Sequence, residues 1–337
     1  MKTENLTVVI LGASGLVGRT LISILKQRKF PVSDLRLCSS PGGQGREMEI
    51  DGEIHFAKPF EPSAFIGADI VFFSGPDDLS VEYAPQAISE GAVVIDNSAH
   101  FRMKPDIPLV VPEVNAHALK SHKGLIANPN CTTSGLVCAL GPINKALGLN
   151  WVSTASYQAI SGAGLKVKNE FIEGSRKAME QDFQNLNPQA YPFNVIPAVG
   201  SYTGGQNFSE EERLINETRK ILEEPTLKVY PLCARVPVIN VHSLAVTFQT
   251  KRNFKEGEIE LILSDAPGVE ILDDPINGGI PTPVGADGKD EVIVGRIRRF
   301  EENIGSFWVV ADNLRKGAAL NSVQIAEHLI ELERTKK

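Results

Sequence analysis

The apolar positions of residues 1–130 form short continuous runs that alternate with helix-like periodicity. The run Leu6–Leu11 is continuous and rich in β-branched residues, which is typical of a parallel strand buried on both faces. Similar runs predict further strands at 35–38, 69–73, 92–95 and 125–127. Helices are predicted over 15–26 and 79–90, and a glycine-containing loop at 41–45. This alternation predicts βαβ units in a parallel sheet.

The pattern changes after residue 131. Strand-like runs dominate there, at 153–160, 227–233, 243–250, 292–297 and 307–310, with helices predicted at 165–180 and 210–223. Such an arrangement predicts an α+β domain, and 314–333 has the pattern of an amphipathic helix. A chain of 337 residues is long enough for two domains. We therefore predict one domain over 1–130 and 315–337 and a second over 131–314.

Composition and charge narrow the class of protein. The formal net charge is −7 and no Lys/Arg run stands out, so no surface for nucleic acid is predicted. No apolar run approaches the ~20 residues that cross a bilayer, and the first apolar run is too short for a secretory signal. The four cysteines form no CxxC pair, so we expect neither a disulfide framework nor a metal site. A cytoplasmic protein with a small-molecule substrate is the expectation.

A GxxGxxG motif, made by Gly12, Gly15 and Gly18, directly follows the first predicted strand and opens the first predicted helix. In that position glycines allow a tight turn and a close approach of the backbone to a pyrophosphate at the helix N-terminus. The alternative is a tight βα turn without a ligand. The second strand is followed by Ser39 and Ser40 rather than an acid, which favours a 2′-phosphate and therefore NADP over NAD.

Cys131 stands between a turn signal at 128–130 and an apolar run. We predict that it lies at or near a helix N-terminus, where unpaired N–H groups and the helix dipole stabilise a thiolate. Cys38, Cys138 and Cys233 lie within apolar segments and are predicted to be buried packing residues. A thiolate can capture a carbonyl group covalently, and a bound dinucleotide can bring a hydride carrier to the same carbon. Together the motifs indicate an oxidoreductase that acts through a thioester.

Two histidines are candidates for handling protons beside this thiolate. His242 lies at a break between two predicted strands, where a side chain can reach a cleft. His100 follows another predicted strand and stays a second candidate. The strand predicted at 153–160 runs into a glycine-rich turn at 161–164, a feature typical of a backbone that approaches a ligand closely.

Motifs along nearly the whole chain match one family. They are the glycine loop at 12–18, VPEVN at 111–115, NPNCT at 128–132, YQAISGAG at 157–164, RVPV at 235–238 with HS at 242–243, VGRIR at 294–298, DNL at 312–314, KGAA at 316–319 and NSVQIA at 321–326. In these motifs and their order the chain resembles the aspartate-semialdehyde dehydrogenases. The resemblance implies a glyceraldehyde-3-phosphate-dehydrogenase-like α/β architecture: a Rossmann dinucleotide-binding domain completed by the carboxy-terminal helix, and an α+β catalytic domain that forms a homodimer.

The resemblance also implies a reaction, the NADPH-dependent reduction of β-aspartyl phosphate to aspartate semialdehyde and phosphate in the biosynthesis of lysine, threonine, methionine and isoleucine. It implies Cys131 as the nucleophile, Gln158 as its orienting partner and His242 as the acid/base. Arg235 would hold the substrate carboxylate and Glu210 the amino group, while the implied phosphate site consists of Arg102, Asn130 and Arg213. The implied cofactor contacts are Gly12, Ala13, Ser14, Gly15, Leu16, Val17, Ser39, Ser40, Ser74, Gly75, Ser161, Gly162 and Asn313.

Two positions depart from the family pattern. Relatives commonly carry Lys where this chain has Arg213, and some carry Arg where it has Pro41, so both the phosphate placement and the NADP preference are affected. Another interpretation of Arg213 is an exposed helix residue paired with Glu217. Two other functions remain open: N-acetyl-glutamyl-phosphate reductase, whose blocked amine would not need Glu210, and a non-catalytic paralogue, which would be expected to lose Cys131.

Overall fold

The chain divides into two compact units in a computed structural model that describes residues 2–41, 44–180 and 185–335. Unit 1 comprises Met1–Asn130 and Ala318–Lys337, and unit 2 comprises Cys131–Gly317. In the loop predicted at 41–45, Gly42 and Gly43 lie outside the described residues. Within the described ranges no helix combines the length and apolar character needed to cross a membrane.

Unit 1 alternates strands and helices along the chain. Its elements up to residue 127 are β1 (Leu6–Leu11), α1 (Leu16–Gln27), β2 (Val32–Pro41), β3 (Arg46–Ile50), β4 (Glu53–Phe60), a 3₁₀ turn (Pro62–Phe65), β5 (Ile70–Phe73), α2 (Asp77–Ser89), β6 (Val93–Asp96), α3 (Pro112–Asn115), a second 3₁₀ turn (Ala116–Ser121) and β7 (Leu125–Ala127).

These strands form a seven-stranded sheet in the order β3-β4-β2-β1-β5-β6-β7, parallel except for the β3–β4 pair. Alternate residues of β1 enter two different cores. Val8 and Ile10 face a cluster that includes Leu21 of α1, whereas Val9 and Leu11 face the cluster on the other side of the sheet. This two-sided burial is the physical reason that β1 is apolar apart from the partly buried Thr7.

Unit 2 begins with a helix and is then dominated by strands. Its elements are α4 (Cys131–Leu147), β8 (Leu149–Gln158), a 3₁₀ turn (Ile160–Ala163), α5 (Leu165–Ala178), β9 (Tyr202–Gly204), β10 (Asn207–Phe208), α6 (Ser209–Ile221), β11 (Lys228–Arg235), β12 (His242–Thr250), α7 (Glu258–Ser264), β13 (Val269–Ile271), α8 (Pro283–Ala286), β14 (Val292–Glu301) and β15 (Ile304–Ala311). A π-helical turn (Arg315–Ala319) then leads into α9 (Leu320–Thr335), which belongs to unit 1.

A six-stranded mixed sheet in the order β11-β8-β12-β15-β14-β13 forms the centre of unit 2. β11 is parallel to β8, and β12 is antiparallel to both β8 and β15. The ends of β8 and β11 and the beginning of β12 therefore lie at one edge of this sheet.

The predicted fold class, a Rossmann-type parallel sheet followed by an α+β domain, is confirmed. Two local differences are informative. The sequence pattern predicts one carboxy-terminal helix over 314–333, but a π-helical turn precedes α9. The β3–β4 hairpin was not predicted, because the apolar positions of β3 are confined to Met48 and Ile50 among charged residues. Its turn signal is the Asp51–Gly52 pair, in which both residues have positive φ.

Candidate active site

Strand pairing brings three of the predicted site residues to one edge of the unit 2 sheet. Gln158, the last residue of β8, lies opposite Arg235, the last residue of the parallel strand β11. His242 is the first residue of β12, and its neighbour Ser243 pairs with Tyr157 on β8. The sheet therefore assembles an amide, a guanidinium and an imidazole from segments far apart in sequence.

Cys131 is the first residue of α4, as the turn signal before it predicts. Its Sγ lies 3.2 Å from Nε2 of His242. Gly317 packs directly against this helix start, and a Cβ built on Gly317 would lie 2.8 Å from the Cβ of Cys131. A larger residue at 317 would therefore displace the sulfur. The thiol is partly exposed, whereas those of Cys38, Cys138 and Cys233 are buried.

The His242 ring is held in a defined protonation state. Its Nδ1 accepts a hydrogen bond of 3.0 Å from the backbone N–H of Ala159, so in the neutral ring the proton resides on Nε2 and faces the sulfur. Burial, with a smaller contribution from the positive charge of Arg235, lowers the pKa of His242 well below 6.5. Both features favour a neutral imidazole that donates a hydrogen bond to a thiolate.

Ala159 orients a second site residue through its carbonyl group. Nη1 of the buried Arg235 donates a hydrogen bond of 2.7 Å to the Ala159 oxygen. Gly162 completes this corner, because a Cβ there would lie 2.9 Å from Nη1 of Arg235 and 3.1 Å from Nε2 of His242. Only a glycine leaves the space between the guanidinium and the imidazole open.

Glu210 lies behind the site on α6 and is nearly inaccessible to solvent. Its Oε1 accepts hydrogen bonds from Nε2 of Gln158, at 3.0 Å, and from the hydroxyl of Thr132, at 3.1 Å. Its Oε2 lies 3.4 Å from Nη1 of Arg213, one helical turn further on. The interpretation that Arg213 pairs with Glu217 is therefore replaced by a pairing with Glu210.

The glycine loop of unit 1 has the features of an anion site. The N–H groups of Gly12 and Ala13 donate to the carbonyl of Cys38, and Gly12 has a φ of 89° with the Ser74 backbone only 2.9 Å from where its Cβ would be. Helix α1 has no side-chain cap and no acid in its first turn. Within the described residues, the buried hydroxyl of Ser74 has no hydrogen-bond partner. A cofactor pyrophosphate would satisfy both the helix N-terminus and this hydroxyl.

Other predicted cofactor residues have different environments. Ser39 is buried and donates a hydrogen bond of 3.2 Å to the Lys58 carbonyl, while the side chain of Ser40 is outside the described set. In unit 2, Ser161 and Asn313 bond to each other, with Nδ2 of Asn313 donating to the Ser161 hydroxyl at 2.9 Å. Around the glycine loop, Ala13 is buried and the remaining residues, Ser14, Leu16, Val17 and Gly75, are partly exposed.

The predicted phosphate ligands Arg102 and Asn130 belong to unit 1 and are both buried. Nε and Nη2 of Arg102 donate to the carbonyls of Asn128 and Asn97 at 3.0 and 2.8 Å. His100 is exposed and packs edge-on against the ring of Phe101, so the histidine beside Cys131 is His242. Over the described ranges no cluster of three or more His, Cys, Asp or Glu side chains could hold a metal ion.

Three contributors to this geometry are not predicted by the sequence pattern. Ala159 acts through its backbone, and an alanine gives no sequence signal for that. Val241 adopts a left-handed conformation that nothing in its residue type suggests. Gly317 belongs to the KGAA motif, but its contact with Cys131 joins positions far apart in sequence.

Comparison with known proteins identifies the family of this chain. Family models described as "Semialdehyde dehydrogenase, NAD binding domain" and "Semialdehyde dehydrogenase, dimerisation domain" match residues 7–122 and 140–316. An aspartate-semialdehyde dehydrogenase from Aquifex aeolicus is 42% identical, covering 96% of this chain and 98% of its own. The chain belongs to the aspartate-semialdehyde dehydrogenase family.

Further similarity to members of the aspartate-semialdehyde dehydrogenase family covers nearly the full length of each chain. The Bacillus subtilis enzyme of that name is 40% identical over 98% of this chain and 99% of its own. The crystal structure of aspartate semialdehyde dehydrogenase II from Vibrio cholerae has a TM-score of 0.90 and 37% identity, over 97% of this chain and 99% of its own. A second structure of that protein is described as complexed with ASA. The family resemblance drawn from the sequence motifs is thus confirmed.

Proposed function

We propose that this chain is an NADP-dependent aspartate-semialdehyde dehydrogenase that reduces β-aspartyl phosphate to aspartate semialdehyde and phosphate in amino-acid biosynthesis. The observation that carries the proposal is the placement of Cys131 at the start of α4, with its sulfur 3.2 Å from a neutral His242. The names of the relatives support the choice of substrate.

Covalent capture begins with the Cys131 thiolate. Its sulfur attacks the acyl carbon, the carbon–oxygen bond to phosphate breaks, and inorganic phosphate leaves with that bonding pair. Cys131 then carries a thioester, which divides one difficult step into two easier ones. When bound, the nicotinamide of NADPH supplies the hydride that reduces the thioester carbon. Breakage of the carbon–sulfur bond in the resulting tetrahedral species releases the aldehyde and regenerates the thiolate.

His242 serves this sequence as a hydrogen-bond donor. Nε2–H stabilises the resting thiolate, and it becomes free to donate to the substrate oxygen once the sulfur is acylated. Negative charge develops on that oxygen during reduction, and a preorganised donor is most effective there. The balanced reaction from thiolate to thiolate needs no net proton from the ring. Where the thiohemiacetal oxygen is protonated, His242 is the group that would carry the proton.

The polar residues around this pair are proposed to select the substrate. Arg235 would bind the carboxylate through N–H donors other than the Nη1–H that is bound to Ala159. Glu210 would meet the amino group, and its contact with Gln158 would keep the amide at the end of β8 in place. The phosphate is proposed to bind Arg102, Asn130 and Arg213.

The proposed cofactor is NADP, bound at the glycine loop of unit 1. The Ser74 hydroxyl, which has no partner among the described residues, and the uncapped start of α1 fit a pyrophosphate. The residues that end β2 include Ser39 and Ser40 but no acid, and an acid would have favoured the ribose 2′-OH of NAD. The remaining predicted cofactor contacts, from Ala13 to Asn313, stay predictions.

A homodimer formed through unit 2 is part of the proposal. Tyr230 and Leu232 on β11 are more than half exposed in this single chain. Exposed apolar side chains on the face of a sheet are typical of an interaction surface, and the family model for this unit is described as a dimerisation domain. Light scattering measures the mass directly, and a monomeric protein would contradict this part. A cytoplasmic location stays a prediction from the sequence.

The reaction is tested in its oxidative direction. Purified protein is mixed with aspartate semialdehyde, phosphate and either NADP⁺ or NAD⁺, and reduced nucleotide is followed by absorbance. We expect phosphate-dependent turnover with a higher kcat/KM for NADP⁺. N-acetyl-glutamate semialdehyde serves as the comparison substrate. Preferential turnover of that compound would overturn the proposal and favour an N-acetyl-glutamyl-phosphate reductase. Absence of turnover with either aldehyde would favour a non-catalytic protein.

A further inference from the structure

Val241, the residue before His242, has a backbone conformation that branched side chains avoid. Its φ is 74°, in the left-handed region, where a β-branched residue is an outlier. Holding a non-glycine residue there costs free energy that the surrounding structure has to offset. The side chain is fully buried against Ala286, Ile293 and Val310. Surrounding contacts must therefore hold the turn that starts β12, because otherwise its backbone would relax and His242 would move.

Asn313 provides such contacts. Its Oδ1 accepts a hydrogen bond of 2.8 Å from the Val241 N–H, and its Nδ2 donates to the Ser161 hydroxyl at 2.9 Å. The backbone N–H of Ser161 in turn donates to the carbonyl of Ile239, two residues before Val241. The carboxamide of Asn313, with only 2% of the residue exposed, is thus part of a closed set of contacts around the turn.

We infer that Asn313 is a positioning residue whose carboxamide holds the strained Val241 backbone and so fixes the direction in which His242 faces Cys131. The set formed by Asn313, Val241 and Ser161 is called the turn clamp below. The clamp lies wholly within unit 2. The inference rests on the proposed function for the roles of Cys131 and His242, and it adds a task to a residue for which the family resemblance implied only a cofactor contact.

The first experiment combines steady-state kinetics with alkylation of Cys131 by iodoacetamide, followed by peptide mass spectrometry without substrate or nucleotide. Asn313→Ala removes the acceptor for the Val241 N–H. We expect kcat to fall about 10²-fold, the loss that a displacement of roughly 1 Å produces. Alkylation should slow about tenfold, because a hydrogen bond to the thiolate is weakened. The KM for the aldehyde should change little, since Arg235 and Glu210 are untouched.

Two variants control this result. Asn313→Asp keeps an oxygen for the Val241 N–H and should retain most of the alkylation rate. Asn240→Ala removes a carboxamide that is next to Val241 in sequence. Its Nδ2 donates a hydrogen bond of 3.2 Å to the Asp287 carboxylate at the surface. That variant should have the kinetics and the alkylation rate of the parent protein.

Strain relief provides the sharpest test. In a Val241→Gly background the backbone no longer resists a positive φ, so the turn needs the Asn313 acceptor less. The combined loss in kcat of Val241→Gly with Asn313→Ala should therefore be smaller than the product of the two separate losses. Losses that simply multiply would overturn the turn clamp.

A different result would place Asn313 in the cofactor site alone. In that case Asn313→Ala would raise the KM for the nucleotide and leave alkylation of Cys131 unchanged, which would overturn the inference. If Asn313→Ala does not fold, Ser161→Ala takes its place and should slow alkylation in the same direction, and an unchanged rate would again count against the clamp. Alkylation needs no turnover, so failure of the proposed function and failure of this inference are distinguishable.

Discussion

Cys131 and Cys233 lie in the same unit, but their surroundings differ in solvent exposure, in backbone structure and in the polar groups nearby. Cys131 is partly exposed at the first residue of a helix, with His242 3.2 Å from its sulfur. Cys233 is fully buried in β11, where burial raises the pKa of its thiol to about 12. The nearby carboxylates of Glu210 and Glu211 add to this increase. A helix start with a hydrogen-bond donor favours a thiolate, and a strand interior beside carboxylates opposes one.

The comparison teaches that residue type alone does not mark a nucleophile. Cys38, in β2 of unit 1, resembles Cys233: burial raises the pKa of its thiol to about 11. Both lie inside strands, whereas a turn signal precedes Cys131. The backbone around a cysteine therefore decides its chemistry, and that difference is already visible in the sequence.

The largest expected effect separates the two thiols directly. Cys131→Ala should lower kcat at least about 10⁴-fold, because the covalent step is lost. Its melting temperature should remain close to that of the parent protein, since the side chain is not part of a core. Cys233→Ala is the matched control, and we expect it to keep its kcat while losing some stability through a small cavity. Kinetics and thermal unfolding of both variants test the comparison, and substantial turnover by Cys131→Ala would contradict the thioester mechanism.

His242→Asn should give the next largest effect. An asparagine cannot place a donor where Nε2–H lies, so kcat should fall about 10²- to 10⁴-fold. Alkylation of Cys131 should also slow, which would reduce the difference in reactivity between Cys131 and Cys233. Substrate affinity should change little, because Arg235 keeps its contact with Ala159. An alkylation rate equal to that of the parent protein would show that His242 does not stabilise the thiolate.

The two arginines should separate in their effects on KM. Arg235→Lys keeps the charge but loses the planar fork, and we expect the KM for the aldehyde to rise about 10- to 100-fold with little change in the KM for phosphate. Arg213→Ala should mainly raise the KM for phosphate, and Arg213→Lys should have a mild effect, since lysine keeps the positive charge. Kinetics with phosphate varied at fixed aldehyde decide the matter. An unchanged phosphate KM in Arg213→Ala would limit that residue to its contact with Glu210.

The smallest expected effect concerns stability. The pKa of His242 lies well below 6.5 in the folded protein, so below pH 6.5 the unfolded chain binds a proton that the folded chain does not. The contribution of His242 to the free energy of unfolding is therefore fully present above pH 6.5. It falls with decreasing pH by at most about 1.4 kcal/mol per pH unit. His242→Asn lacks this contribution, so its stability should fall less steeply. Urea unfolding of both proteins at about pH 7.5, 6.5 and 5.5, at one protein concentration, measures the difference. Parallel pH profiles would mean that the imidazole is not held neutral.

Local sequence signals were sufficient for β1 and for the start of α4. Five apolar residues and one partly buried threonine leave β1 no solvent-facing side, and the turn before Cys131 predicts a helix beginning there. The pairing of Cys131 with His242 spans 111 positions and depends on β12 returning antiparallel beside β8. That register is a property of the whole sheet, so a sequence can nominate His242 but cannot place its ring.

The backbone groups that shape the site could not be predicted from local sequence for a different reason. The Ala159 N–H that fixes the ring and the positive φ of Val241 belong to residue types with no preference for those tasks. Glycine or asparagine would have indicated a left-handed turn at 241, and valine indicates the opposite. Tertiary contacts overrode the local preference there, directly before His242.

The boundary between the two units has a consequence for protein engineering. Unit 2 is topologically an insertion into unit 1, and its first and last residues, Cys131 and Gly317, are in contact. On the unit 1 side, Nδ2 of Asn128 lies 3.5 Å from the carbonyl oxygen of Ala318, so those ends also meet. Segments whose ends meet are suited to excision, grafting and circular permutation. Here, however, the junction carries Cys131, the proposed nucleophile, so any splice at residue 131 would also change the surroundings of that thiol.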